Sequence, residues 1–472
     1  MRATSQAQPW RPRLQEAKEL IQDGLIQQAL EIYQALIREF PDQADLLTEM
    51  ARLLGKLNYL PLAIRFLQMA ILVDPTHRDA LGLIAYFYHD SGELEAAIRY
   101  YQSAIQHSPE DAGLQNSLGQ LFLQCGKYDL ARQSFEISLK ITPDDPFAHW
   151  RLGCYYLTLG EFLTGWAYLH RTFTLGACFR GFSQPYWDGA ELAGKTLLIH
   201  CTGGLGDTIQ FVRYLYPLAK QTGRLLFECQ PRLMGLFAYL EKEIPGLQLL
   251  RQDQDPLPFF DTHTLIWSLP HLCGPLPEAF PLPQGYLKAD PNRINRWKKR
   301  LQELPAGTRI ALAWEGAFDT YEKRSRNIPR QMLAPLLKVP GIQWICLQKM
   351  TSQTKPADHH TLQVEYNMWD VTQQMDQGEE EGFVDTAALM TVADLVITTD
   401  TSFAHLAGGL GCPTWLLLKK YPSWQWLLER VDSPWYNSVR LFRQEQSGEW
   451  RTLLTKVAIH LQQAILKRNF FV

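Results

Sequence analysis

Residues 92–109 read GELEAAIRYYQSAIQHSP, and residues 126–143 read GKYDLARQSFEISLKITP. Both stretches open on Gly, carry Ala at the sixth position and an aromatic at the tenth, close on Pro, and lie 34 residues apart. The same positions recur outward along the chain. Prolines stand at Pro41, Pro75, Pro109 and Pro143, and alanines at Ala29, Ala63, Ala97 and Ala131. Gly24, Asn58, Gly92, Gly126 and Gly160 keep the step, as do Tyr33, Leu67, Tyr101 and Phe135. Each class has a physical use. Gly or Asn admits the positive φ of a tight turn between helices. A small Ala lets helices approach closely, and Pro disfavours helical geometry at the residue before it.

A period of 34 made of two short helices is that of a tetratricopeptide repeat. The reading places repeats at 10–43, 44–77, 78–111 and 112–145. A degenerate fifth runs from Pro146 to about Leu175, with Gly165 in place of the Ala and Trp166 and Tyr168 following. The expected domain is an α-solenoid over 10–178. Aromatics in such an array are core by default. The array as a whole is expected to hold a protein or peptide on its concave face.

Bulk composition narrows the rest. The chain of 472 residues is too long for one core. A net charge of −3 gives no reason to expect nucleic acid as a partner. None of the eight cysteines forms a CxxC pair, which points to buried thiols in a reducing compartment. The N-terminus lacks an apolar signal region, and no long apolar run suggests stable membrane insertion, so a cytoplasmic protein is expected.

After a loop containing Trp187, Asp188 and Gly189, the pattern changes. KTLLIHC (195–201) and RLLFEC (224–229) read as buried strands, each followed by a helical stretch, over 207–222 and 231–242. Further strands are expected near 247–250 and 262–268. The Pro-rich segment 269–308, with a charged helix near 291–304, reads as a hinge. A second alternating unit follows: RIALAWEG (309–316), IQWICLQ (342–348), a helix at 385–393, LVITTD (395–400), a helix from 401, PTWLLL (413–418) and a helix over 449–468. The expected fold class is therefore α + α/β: the solenoid, then two Rossmann-type lobes over 195–290 and 305–468, with a ligand crevice at the strand C-termini.

Four groups are site candidates. GGLGD (203–207) follows a strand and opens a helix, so Gly204 and Gly206 would bring backbone N–H groups to a ligand. Asp207 would be either a helix cap or a general base. Lys323, Arg324 and Arg326 form either a solvated loop or a cationic clamp for a diphosphate. In TTDTSFAHLAGGLG (398–411), Asp400, Thr401, Ser402 and His405 sit where a strand passes into a helix, which suits either phosphate binding or plain capping with a core His. Trp424, Trp426, Trp435 and Tyr436 could stack on a base, though core packing is the commoner use. Asp376, Glu379, Glu380 and Glu381 read as a solvated acidic loop. His359 and His360 are adjacent, poor spacing for a helical metal site, and no metal or resident cofactor is expected.

At these residues the chain resembles tetratricopeptide proteins carrying a heptosyltransferase-like (family 9-like) GT-B glycosyltransferase domain. The matching segments are YWDGAELAGKTLLI (186–199), GLGDTIQFVRY (204–214), RSRNIP (324–329), VDTAAL (384–389), DTSFAHLAGGLG (400–411) and SPWYNSVRLFRQ (433–444). The resemblance implies a nucleotide-sugar donor and inverting, metal-independent transfer to an acceptor hydroxyl. It makes Asp207 the catalytic carboxylate, puts Arg326 near the phosphate-contacting Lys position, and makes Asp400, Thr401, Ser402 and His405 the donor-binding turn. Thr202 and Gly203 stand where the family usually has an acidic residue and Gln. Ser423-Trp424-Gln425-Trp426 replaces an Asp-Trp-Arg-Trp segment. These departures leave a second expectation open, a non-catalytic adaptor with a degenerate nucleotide-sugar-binding domain.

Overall fold

A computed structural model describes residues 9–176, 180–316, 320–349, 362–467 and 469–470. His359, His360 and Cys178 lie outside them. The chain divides into two compact units, residues 1–143 and 144–472.

The first unit is an array of helical pairs. These are α1 (Arg11–Gln22) with α2 (Ile26–Glu39), α3 (Ala44–Lys56) with α4 (Leu60–Val73), α5 (Arg78–Ser91) with α6 (Leu94–His107), and α7 (Ala112–Gln124) with α8 (Tyr128–Ile141). The turns inside the pairs place Gly24, Asn58, Gly92 and Gly126 at φ of 78°, 63°, 84° and 71°, the conformation that selected Gly or Asn there. Ala29, Ala63, Ala97 and Ala131 are fully buried, and Tyr33, Leu67, Tyr101 and Phe135 fill the space between helices. The helices of a pair approach closely enough that a Cβ at Gly119 would stand 2.6 Å from the Phe135 ring. At the start of α7, the Asp111 carboxylate accepts the Leu114 N–H at 3.1 Å.

A fifth pair, α9 (Pro146–Thr158) and α10 (Phe162–Thr174), belongs to the second unit. Gly165 stands where the other pairs have Ala because the spacing is tighter: a Cβ there would meet Leu157 Cγ at 2.6 Å. Trp166 is fully buried and packs edge-on against Phe211, Trp424 and Trp435, so this pair shares the α/β core.

That core lies around two all-parallel sheets. The first contains β1 (Thr196–His200), β2 (Arg224–Cys229), β3 (Leu247–Arg251) and β4 (Thr262–Leu265), in the order β3-β2-β1-β4. The second contains β5 (Thr308–Leu312), β6 (Ile342–Cys346), β7 (Trp369–Asp370), β8 (Leu395–Thr399), β9 (Thr414–Leu418) and β10 (Val439–Arg443), in the order β10-β9-β8-β5-β6-β7. Both orders reverse direction beside their first strand, between β1 and β4 and between β5 and β8. Crevices at strand C-termini open at such points. The helices that matter to the site are α11 (Leu205–Phe211), α12 (Pro291–Gln302), α13 (Val384–Val392), α14 (Ser402–Gly409) and α15 (Trp450–Lys467). No helix among the described residues is long and apolar enough to cross a membrane.

Three expectations change. The single helices expected over 207–222 and 231–242 are broken into short pieces, α11 being followed by 3₁₀ and α turns over Val212–Tyr214 and Leu215–Leu218. Pro217 and Pro231 sit at or near these breaks, where they remove N–H donors. Strands β7 and β10 were not anticipated. The segment read as a hinge is instead fastened to both lobes, and on the first-lobe side the Tyr239 hydroxyl donates to Tyr286 O at 3.0 Å. Tyr286 N–H donates to Gly409 O at 2.7 Å, and Trp297 Nε1–H donates to Asp385 on α13 at 2.8 Å.

Candidate active site

β1 ends at His200, and Gly203, at φ 87°, turns the chain into α11. Asp207 lies in the first turn and accepts the Gly204 N–H at 3.1 Å, so the capping role is real. Burial pushes its carboxyl up to about 7, helped by the charge of Asp400; the Gly204 N–H and the Arg326 guanidinium act in the opposite direction. A capping carboxylate that titrates near neutrality can also exchange a proton.

From the second sheet, β5 runs into Trp314, Glu315 and Gly316. Gln348 Oε1 accepts the Trp314 and Glu315 N–H groups at 3.1 and 2.9 Å, and Asn327 Oδ1 accepts the Gly316 N–H at 2.8 Å. These bonds fix a narrow passage. A Cβ at Gly316 would stand 2.9 Å from Thr401 Cγ2 and 3.5 Å from an Arg326 guanidinium nitrogen. Arg326 therefore lies beside the start of α14, and its Nε is buried with no hydrogen-bond partner among the described residues. Lys323 and Arg324 sit just upstream on the one-turn helix Tyr321–Arg324, partly buried.

β8 runs into Asp400, then Thr401, which caps α14 by position and makes no side-chain cap bond. Both Asp400 oxygens are engaged: Oδ1 accepts Trp426 Nε1–H at 2.8 Å and Oδ2 accepts the Ser423 hydroxyl. Burial alone would raise its pKa, yet Arg326, Ser423, Trp426 and His405 together hold it below the ordinary carboxylate range. His405 is buried, stacks on Trp426 with ring centroids 5.2 Å apart, and shares a hydrogen bond of 2.9 Å between Nδ1 and the Tyr436 hydroxyl. Burial pushes it down to about 4 against the pull of Asp400, so it is neutral at physiological pH.

The two lobes meet through these elements. A Cβ at Gly206 would lie 3.0 Å from His405 Cδ2 and 3.3 Å from Ser402 Cα. The starts of α11 and α14 thus face each other, with Asp207 on one side and Arg326 on the other. Gly204, Gly206, Asp207, Arg326, Thr401, Ser402 and His405 are brought together, while Asp400 ties the 423–426 segment to them.

Here the core reading of the aromatic cluster holds, and the solvated reading of the acidic run holds only in part. Trp424, Trp426, Trp435 and Tyr436 are buried, and Trp435 stacks face to face on Phe280 at 3.9 Å, so they form core rather than a ligand platform. The acidic run is only in part a solvated loop: Glu379 and Glu380 are exposed and Glu381 is half-buried, but Asp376 departs from that reading. Asp376 is buried and accepts the Asp385 and Thr386 N–H groups at the start of α13. Glu379 and Glu380 pair with Arg251 at the end of β3, and Glu381 pairs with Arg293. The loop joins the lobes because a carboxylate that finds a guanidinium across the gap gains a charge-assisted bond. Sequence reading missed Asn327, Gln348, Ser423 as a partner of Asp400, and the fully buried Arg213. Arg213 donates to Trp435 O at 2.9 Å and lies between the Tyr286 and Tyr436 rings. No spacing signal marks such residues, since each acts on a partner in another segment, from 11 positions away for Asn327 to 222 for Arg213.

The Tetratricopeptide repeat family model matches residues 48–112 and 88–146. Protein FlbA of Caulobacter vibrioides is 29% identical over 299 residues, 58% of this chain and 48% of that protein. The chain thus spans about half the length of that curated relative. Among solved structures, MamA is 20% identical with a TM-score of 0.32, over 34% of this chain and 94% of that one. PilF of Pseudomonas aeruginosa is 21% identical with a TM-score of 0.33, over 35% and 76% respectively.

Proposed function

We propose that the second unit is a GT-B glycosyltransferase of the heptosyltransferase-like kind. It would bind a nucleotide-sugar between its two lobes and pass the sugar to an acceptor hydroxyl on a protein held by the repeats. The observation that carries this reading is the meeting of Asp207, from the first sheet, with Arg326 and the start of α14, from the second. Asp207 takes the proton of the acceptor hydroxyl as its oxygen attacks the anomeric carbon. The bond from that carbon to the donor phosphate breaks, and the diphosphate leaves with the electron pair. Arg326 and the N–H groups at the start of α14 stabilise the departing charge. Inversion follows from attack opposite the leaving group. Gly204 and Gly206 keep the approach to α11 free of side chains.

A second reading is favoured by how tightly the lobes meet at Gly206 and by the engagement of both Asp400 oxygens. In it, the second unit binds a nucleotide-sugar without turnover, and the protein is an adaptor. Calorimetry with UDP, GDP and ADP, paired with hydrolysis assays on the corresponding sugars, separates the two. Turnover selects the transferase and binding alone selects the adaptor. Failure of every nucleotide to bind removes both.

A further inference from the structure

Gly408 and Gly409, near the end of the motif DTSFAHLAGGLG, have no part in the site described above. A Cβ at Gly408 would stand 2.5 Å from Tyr436 Cγ, and one at Gly409 would stand 3.1 Å from Tyr286 Cζ. Two bare positions on α14 thus let two tyrosine rings lie against the helix. Arg213, just beyond the end of α11, fills the space between those rings. Its guanidinium carbon is 4.3 Å from the Tyr286 centroid and 4.9 Å from the Tyr436 centroid. Nη1 donates to Trp435 O at 2.9 Å, and the Tyr286 hydroxyl donates to Ile209 O at 2.7 Å.

Arg213 is fully buried, yet among the described residues its Nε and Nη2 have no hydrogen-bond partner and no carboxylate pairs with it. A buried cation without a counter-charge is destabilising, and an apolar side chain would fill the same space without that cost. The group its charge can act on is close. The Tyr436 hydroxyl shares a hydrogen bond of 2.9 Å with His405 Nδ1. A guanidinium beside the phenol favours the orientation in which the O–H points away from it, so Tyr436 donates and Nδ1 accepts. The ring proton then sits on Nε2. The His405 atom that a Cβ at Gly206 would meet is Cδ2, the neighbour of Nε2, so that nitrogen lies on the side where the starts of α11 and α14 face each other. The other charged groups near the ring are Asp400 at the end of β8 and Arg326 after β5, and Asp207 follows Gly206 on α11. Burial, with the charges of Arg213 and Arg326, denies the imidazole a second proton against the pull of Asp400.

We propose that Arg213 is a positioning residue: acting through Tyr436, it fixes His405 as the tautomer protonated on Nε2, which offers that N–H to an oxygen of a nucleoside diphosphate at the start of α14. This rests on the donor site given to the second unit, and it adds a residue that touches no ligand and sets the hydrogen-bonding sense of one that does.

The test is long-range proton–nitrogen NMR on the full chain carrying ¹⁵N-histidine, with His405→Gln identifying the signal. In the parent, Nδ1 is expected to read as unprotonated and Nε2 as protonated. Arg213→Met fills similar space without the charge, and should mix the two tautomers and raise the proton affinity of His405 by about tenfold. Arg213→Lys, which restores a cation, should return the parent pattern. Tyr436→Phe, which keeps Arg213 and removes the linking hydroxyl, should mix the tautomers as Arg213→Met does. Arg213→Gln, neutral and still able to donate to Trp435 O, takes the place of Arg213→Met if that variant does not fold. A parent protonated on Nδ1, a tautomer unmoved by the neutral variants, or a Lys variant that behaves like the neutral ones overturns the proposal. Calorimetry with UDP, GDP and ADP on the same samples should show about tenfold weaker binding for Arg213→Met than for the parent. Binding unchanged by Arg213→Met overturns the link to the ligand. A parent that binds none of the three removes the donor site instead, while the NMR still decides what Arg213 does to His405, so the two ideas fail separately.

Discussion

At the residue scale, Asp207 carries two demands that pull apart. Its carboxylate caps α11 through the Gly204 N–H, yet burial holds it near neutrality, with a pKa of about 7. A carboxyl raised in the folded state binds its proton more tightly there than in the unfolded chain. The cost to stability is therefore absent at acid pH and grows as pH rises from about 4 through about 7. Asp207→Asn keeps an oxygen for Gly204 and removes that titration. It should melt higher than the parent at pH 8 and match it at low pH, as read by thermal unfolding at both. The same variant should lose transfer by roughly 10²- to 10⁴-fold, the usual contribution of a positioned base. Unchanged transfer would remove Asp207 from the chemistry. In the parent, activity governed by this base should rise through neutral pH, because only the deprotonated form accepts a proton.

At the element scale, the contact between α11 and α14 tolerates no side chain at one point. Gly206→Ala would drive a methyl to 3.0 Å from His405 Cδ2 and 3.3 Å from a backbone carbon of Ser402. Overpacking against backbone typically costs about 1–3 kcal/mol, so a fall in the melting temperature of the second unit should follow; an unchanged melt would show that the helices slide freely. The turn glycines, the small alanines and the short apolar strands were legible because each is a local demand. Positive φ, close approach and burial all leave a mark on the residue that meets them. The GGLGD turn and the Asp400–His405 helix start were legible for the same reason. Gln348, Asn327 and Arg213 were not, for they act on backbone of other segments. The acidic run was half legible: charge in a loop usually means solvent, which holds for Glu379 and Glu380 and not for Asp376. Here its partners, Arg251 and Arg293, come from other elements.

At the scale of the whole molecule, the division falls between Pro143 and Asp144, ahead of the fifth helical pair. Trp166, Leu169 and Phe173 of that pair lie in the same apolar cluster as Phe211, Trp424 and Trp435. A fragment beginning at residue 144 should therefore be soluble and melt cooperatively. One beginning at 180 should aggregate, because removing three large buried side chains bares the surface they cover. Equal solubility of the two fragments, compared by gel filtration, would contradict this. Arg251 offers a subtler handle. Its pairs with Glu379 and Glu380 are largely exposed, and water and salt screen such pairs until they contribute little. Arg251→Ala should shift the melt only slightly, and added salt should shrink the shift further.

The architecture also orders events in time. Helical pairs that touch mainly their sequence neighbours close short loops, whereas two all-parallel sheets pair strands through long crossovers. Chains with local topology fold faster than those with distant pairings. During synthesis the repeats emerge first and are complete while β1 has yet to find β4. In pulsed hydrogen exchange during refolding, amides of α3–α8 should gain protection before those of β1, β5 and β8.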